Sequence, residues 1–258
     1  MIWILPIAGR GSRTQSLGKF KPFIEVNGKK IIHWALLGIK HEIREGDQLV
    51  FVTTVAFERE YGVKQNLAEI LLQESLENQF EVVLAADTPQ GPAASVYITK
   101  EIIDVPEPCT VVNADQHIIF EMRRNLHPQD GFLPIYFNTS PNSSYARIKA
   151  GRVVSIHEKE LVSNYASSGV YGFGSGHVLI QAIEQLFEDG ETVRGEYYVG
   201  PAMNYLIRDG GTVYPAATVA KFDLGDENGI RWFSKLSQRN ICNSNPLATE
   251  TYALDDTP

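Results

Sequence analysis

The sequence predicts an α/β fold with a mainly parallel central sheet and an antiparallel excursion, and three observations carry that expectation. Apolar runs of strand length at residues 2–7, 49–55, 82–85 and 109–112 alternate with stretches at 31–39 and 60–77 whose apolar residues recur at helical spacing. From 131 to 171 the alternation gives way to short strands separated by turns, the pattern of hairpins added to a sheet. The first strand empties into a loop carrying Gly9, Arg10, Gly11 and Arg13, with Lys19 and Lys21 close behind.

That loop is suited to an anion. Glycines let the backbone approach phosphate and turn its N–H groups toward it, and arginine offers a planar fork of donors. A glycine-bearing turn after a first strand is common in α/β proteins, and the four cations set this one apart. It matches neither of the two commonest phosphate devices. Thr14 stands where a dinucleotide fingerprint needs its third glycine, and no Gly-Lys-Ser/Thr follows as a P-loop requires.

Size and charge bound the rest. A chain of 258 residues, 43% of them hydrophobic, buries one substantial core, expected as a single domain over 1–236. Residues 237–258 are polar and aperiodic and read as a tail or linker. A net charge of −8 argues against a nucleic-acid partner, because nothing offsets repulsion from phosphates. The two cysteines, Cys109 and Cys242, form no metal or redox spacing and suit reduced thiols in the cytoplasm. No apolar run approaches the ~18 residues of a membrane span, and the first has no basic region before it, so a soluble cytoplasmic protein with no membrane partner is expected.

Along the chain, Asn27 to Lys30 reads as a tight turn into the helix at 31–39. Gln90, Gly91 and Pro92 form a turn, and Ala93, Ala94 and Ser95 open a helix with side chains small enough for a planar ring to lie on the backbone; an ordinary loop would read the same. The strand at 109–112 delivers Asn113, Ala114 and Asp115 to its carboxyl end, where open α/β sheets bind ligands. Asp115 there serves either as a magnesium ligand or as a helix cap. Glu158 and Lys159 end a later strand, as a solvated pair or as part of a site. Helices are expected over 177–187 and ahead of Gly210, strands over 212–217 and 219–222, and a last helix at 230–236 capped by Asp226 or Glu227.

The run AGRGSR followed by KPFIEVNGKKIIHW resembles the signature of the sugar-phosphate nucleotidyltransferases, which make nucleotide-activated sugars, and five motifs follow in that family's order over residues 2–236. The resemblance implies a Rossmann-like three-layer α/β/α fold of the GT-A-like kind. It implies that Ala8, Gly9 and Gly11 wrap a nucleoside triphosphate, that Arg13 meets the departing pyrophosphate, and that Lys21 meets the α-phosphate. Phe20 stands where the family often has proline, which makes Lys19 a rival for that role. By the same resemblance Gly91 lies beside the nucleobase, Asp115 and Asp223 hold Mg2+, Lys159 meets the acceptor phosphate and Glu158 an acceptor hydroxyl. Ser168 and Gly169 lie against the acceptor, with Glu196 a further contact.

The implied reaction joins a nucleoside triphosphate to a small phosphorylated acceptor, a sugar 1-phosphate first, and releases pyrophosphate. A non-sugar phosphate such as phosphocholine or a phosphorylated amino acid derivative is the alternative acceptor, and a non-catalytic nucleotide-binding regulator is the further alternative. Two metal carboxylates together with Arg13 and Lys21 count against the regulator. A glycosyltransferase would want an Asp-x-Asp motif where this chain has Asn113-Ala114-Asp115. No histidine or cysteine stands as a nucleophile, although His117 lies two positions after Asp115. Homo-oligomers are expected by family analogy.

Overall fold

The computed structural model describes residues 1–9, 11, 14, 16–18 and 20–237. Of the tail predicted at 237–258, Ser237 closes the last helix and 238–258 lie outside the described residues. Strand β1 (Ile2–Pro6) buries Ile2, Trp3, Ile4 and Leu5 without a polar face, as a strand covered on both sides does. A turn of 3-10 helix at Lys21–Phe23 leads to a hairpin of β2 (Glu25–Val26) and β3 (Lys29–Lys30), then α1 (Ile31–Ile39) and β4 (Gln48–Thr54). The helix expected at 60–77 is two helices, α2 (Val55–Tyr61) and α3 (Val63–Gln73), because Gly62 takes a left-handed conformation and caps the first.

The chain continues through β5 (Phe80–Ala85), α4 (Pro92–Tyr97), α5 (Lys100–Ile103) and β6 (Cys109–Val112). Next come β7 (Gln116–Phe120), β8 (Gly131–Phe137), β9 (Ser144–Lys149), β10 (Arg152–Glu158), β11 (Tyr165–Ser167) and β12 (Val170–Phe173). Helices α6 (Gly176–Glu188) and α7 (Val199–Arg208), strand β13 (Val213–Asp223) and helix α8 (Glu227–Ser237) complete it. The two strands expected at 212–222 are one, carrying an irregularity between Thr218 and Ala220. Asp226 caps α8, its Oδ1 accepting from Gly229 N at 2.9 Å.

The main sheet runs β5-β4-β1-β6-β12-β8-β11-β9-β10-β13-β7. Its first four strands are parallel, and β12 enters antiparallel beside β6. The antiparallel part extends beyond the expected 131–171, because β13 pairs antiparallel with β7 while running parallel to β8. Alternate residues of β1 feed opposite layers. Ile2 and Ile4 join Ile183, Val199 and Met203 from α6 and α7, whereas Trp3 and Leu5 join Ile32 and Leu36 of α1 and Leu67 of α3. The other face of α1 offers Ile31 and Trp34 to Ile230 and Phe233 of α8, which binds the carboxyl-terminal helix to the amino-terminal half. Among the described residues no helix is long and apolar enough to cross a membrane.

A cluster of charges ties α1 to α3. Glu74, 13% exposed, meets His33 Nε2 at 2.6 Å, Lys40 Nζ at 3.2 Å and Lys29 Nζ at 3.3 Å. Burial alone would raise the Glu74 carboxyl, but its hydrogen bonds from His33, Lys40 and Lys29 outweigh that and hold it below the usual range. Burial lowers His33 against the opposing pull of Glu74, so the imidazole is favoured neutral. Both groups bind protons more readily in the unfolded chain, so their stabilisation is present above their unfolded pKa values and is lost as pH falls through the folded ones. Thermal unfolding followed from pH 7 to pH 4 is expected to show a falling midpoint. Glu74→Gln is expected to flatten that fall below pH 5 and to cost about 2 kcal/mol at pH 7.

Candidate active site

The carboxyl ends of β1 and β6 open on the same edge of the sheet, and the charged groups gather there. Asp115 lies in the link between β6 and β7, and its Oδ2 accepts from Lys21 Nζ at 2.6 Å. The pair is largely shielded, with the lysine side chain 17% and the aspartate 29% exposed, so the attraction is little weakened by solvent. Leu224 N donates to the Asp115 carbonyl at 2.8 Å, and Asp223 faces Gln116 in the β13–β7 register. This ladder brings Asp115 and Asp223, far apart in sequence, to neighbouring strand ends. Asp223 is 63% exposed, its Oδ1 accepts from Gly225 N at 2.7 Å, and its Oδ2 lies 3.8 Å from Lys221 Nζ.

The loop after β1 presses on Lys21. A Cβ on Gly11 would come within 2.9 Å of Lys21 Cβ, so only glycine allows this approach. Thr14, fully buried, donates from both its backbone N and its Oγ1 to the Gly11 carbonyl, at 3.0 and 3.1 Å. Ser16 hydrogen-bonds Glu227 of α8, which anchors the loop from the far side. Ala8 is buried; Gly9 is exposed, with open space where a Cβ would stand. Arg10, Arg13 and Lys19 lie outside the described residues.

On the other side of the cleft, segment 195–198 straps two predicted regions together. Tyr197 N donates to the Gln90 carbonyl at 2.9 Å, Ala93 N to the Tyr197 carbonyl at 3.0 Å, and Gln90 Nε2 to the Gly195 carbonyl at 2.9 Å. Gly91, at φ 99°, makes that contact possible, since a Cβ there would meet Tyr197 O at 2.6 Å and Tyr197 N at 2.7 Å. The absent side chain at Gly91 thus makes room for the Tyr197 backbone. The next residue, Tyr198, reaches the acceptor motif: its hydroxyl donates to Glu196 Oε2 at 2.5 Å and contacts Lys159 Nζ, which also lies 4.2 Å from the ring centroid. Burial raises the Glu158 carboxyl, Lys159 opposes that and Glu196 adds to it, so Glu158 keeps a proton to higher pH than a surface carboxyl.

The structure thus gathers Lys21, Asp115 and Asp223 at one strand edge, and Glu158 and Lys159 with the Glu196–Tyr198 strap. Gly169 joins these regions: Asn113 N donates to its carbonyl at 2.8 Å, and a Cβ on it would touch the Asn113 and Gln116 amides. Ser168 is turned away from the cleft, fully buried, with both its N and Oγ donating to the Pro134 carbonyl. Its part is to hold β8, and no acceptor contact is open to it in this conformation. His117 likewise points into the core, its Nδ1 donating to the Trp34 carbonyl at 2.8 Å and its ring among Trp34, Phe222 and Phe233. Residues not singled out by sequence are Tyr198, Tyr136, Gln116 and Lys221. For Lys221 a signal existed, because it shares a strand face with Asp223 two positions on.

This architecture is that of the nucleotide-sugar pyrophosphorylases and sugar-phosphate nucleotidyltransferases, as the resemblance implied. Among solved structures, a nucleoside-diphosphate-sugar pyrophosphorylase from Vibrio cholerae superposes with a TM-score of 0.77 at 21% identity, covering 91% of this chain and all of that one. A UDP-glucose pyrophosphorylase complexed with UDP-glucose gives 0.72 at 17% identity, over 93% of this chain and 98% of that one. The inositol-1-phosphate CTP transferase from T. maritima gives 0.69 at 14% identity, over 95% and 96%. At these identities the likeness is one of fold. Neither a protein-family model nor a curated protein matches the sequence.

Gly91→Ala tests the strap. It adds a Cβ onto backbone at a positive φ, and is expected to lower stability by about 2 kcal/mol in thermal or urea unfolding, with faster hydrogen exchange at Ala93 N and Tyr197 N.

Proposed function

We propose that this chain is a Mg2+-dependent nucleotidyltransferase that joins a nucleoside triphosphate to a small phosphorylated acceptor, a sugar 1-phosphate or similar polyol phosphate, and releases pyrophosphate. The observation that carries the reading is the Lys21–Asp115 ion pair with Asp223 clipped alongside, at the sheet edge beside a glycine loop. The two aspartates fit magnesium by donor chemistry. Both are hard oxygen donors, the ligand type that magnesium takes. Two carboxylates suit an ion that keeps its waters and takes substrate phosphate oxygens as further ligands. Bound there, it would supply Lewis-acid neutralisation of charge on those oxygens.

The chain's own groups do the positioning. Backbone at Ala8, Gly9 and Gly11 faces the triphosphate, and Lys21 exchanges part of its hold on Asp115 for an α-phosphate oxygen. Arg13 is the residue assigned to the leaving pyrophosphate. An acceptor phosphate oxygen forms a bond to the α-phosphorus as the bond from that phosphorus to the bridging oxygen breaks, and the electron pair leaves with pyrophosphate. The attacking phosphate is already anionic, so positioning and charge stabilisation suffice and no general base is required.

Lys159 receives the acceptor's phosphate, and Glu158, whose carboxyl burial raises, an acceptor hydroxyl.

Pyrophosphate release measured with Mg2+ for each of CTP, UTP, dTTP, GTP and ATP against a panel of sugar and non-sugar phosphates tests the reading. One productive pairing is expected, with Lys21→Ala losing about 2–4 kcal/mol of transition-state stabilisation, roughly 30- to 1000-fold in kcat/KM. Triphosphate binding without release from any acceptor would support the regulatory alternative instead.

A further inference from the structure

The glycine loop assigned to the triphosphate is held partly by itself and partly from outside. Thr14 donates twice to the Gly11 carbonyl, and Leu17 N and Gly18 N both donate to the Thr14 carbonyl, at 3.0 and 3.3 Å. Those bonds fix the shape of the turn and leave its place relative to the sheet edge to contacts with other elements. Ser16 makes such a contact. Exposed on the turn, its hydroxyl donates to Glu227 Oε1 on α8, 211 positions away along the chain.

Glu227 stands on a well-held support. Asp226 takes the capping position, accepting from Gly229 N at 2.9 Å, which leaves the Glu227 carboxylate to the loop. Arg231, one helical turn on, brings Nη2 to 3.5 Å from Glu227 Oε2. The turn before the helix is bound to the Asp115 carbonyl by Leu224 N at 2.8 Å, and the helix closes on Asp223 so tightly that a Cβ at Gly229 would lie 2.2 Å from the Asp223 carbonyl oxygen. Ile230 and Phe233 then seat α8 on Ile31 and Trp34 of α1. The first turn of α8 thus joins Asp223, one of the aspartates assigned to the metal, to the loop assigned to the triphosphate.

A carboxylate repels a triphosphate, so Glu227 favours the nucleotide through the loop and not by touching it. A loop bearing glycines loses much conformational freedom when it closes on an anion, and holding it in place beforehand lowers that cost. We infer that Glu227 is a positioning residue for the nucleoside triphosphate: by accepting from Ser16 it holds the glycine loop in register with the Asp115–Asp223 edge. The inference rests on the nucleotidyl-transfer reading and gives α8 a part in triphosphate binding.

The experiment is steady-state pyrophosphate release by the full chain with Mg2+, using the pairing that the wild type turns over, together with equilibrium binding of the nucleoside triphosphate alone. Glu227→Ala and Ser16→Ala are each expected to raise the triphosphate KM about five- to tenfold and to leave the acceptor KM within about twofold of wild type. The double variant is expected to lose no more than either single one, because both remove the same hydrogen bond. Glu227→Gln keeps an accepting oxygen and is expected to recover most of the loss. An unchanged triphosphate KM in either single variant, additive losses in the double variant, or equal losses for the two substrates overturns the inference while leaving the reaction standing. If Glu227→Ala unfolds, Ser16→Ala, at an exposed position, decides by the same comparison of the two KM values. Absence of release from the wild type with every acceptor overturns the reading, and the same variants then decide the inference on triphosphate affinity. Absence of triphosphate binding overturns both.

Discussion

Lys21 and Asp115 follow two neighbouring parallel strands, one lying beyond the loop after β1 and the other in the link after β6, and a 2.6 Å ion pair joins them. A partly shielded pair of this kind is worth having only where the surrounding chain holds both partners, because ordering a long lysine side chain costs entropy. Here the holding is done by backbone. Gly11 lets the loop lie on the lysine, Thr14 locks the loop with two hydrogen bonds to Gly11, and Leu224 N fastens the Asp115 carbonyl to the turn that carries Asp223.

The second half of the cleft is organised by a different device. Segment 195–198 uses its backbone to grip the Gln90–Ala93 turn and a side chain, Tyr198, to grip Lys159. The Gln90–Ala93 turn and Lys159 are thereby both bound to one short strap. The burial that raises the Glu158 carboxyl belongs to the same arrangement, since α7, which follows the strap directly, packs on β10 where Glu158 lies.

Much of this was legible before any coordinates. The parallel strands show as apolar runs bounded by turn residues and the glycine loop by its residue types, whereas Asp115, Glu158–Lys159 and Asp223 stand out as site residues only through the family resemblance. Other features needed the fold. β7 begins at Gln116, only three residues after β6 ends, and β11 is three residues long. The break at Gly62 divides a continuous helical period. Ser168 carries a hydroxyl fit for a ligand, and only its burial against Pro134 shows that the hydroxyl is already used. Gly91 reads as a place for a base, whereas the space beside it is occupied by the Tyr197 backbone.

By itself the sequence determined the alternation of strands and helices, the acidic character of the molecule, and the chemical inventory of cations, glycines and carboxylates, because these follow from composition and local periodicity. Tertiary structure alone decided which of those groups meet. The antiparallel pairing of β13 with β7 brings Asp223 and Lys221 to the end of β6, and the strap at 195–198 joins Gln90 to Lys159. Both depend on contacts between segments far apart along the chain, and such contacts are set by the packing of whole layers, to which no short window of residues has access.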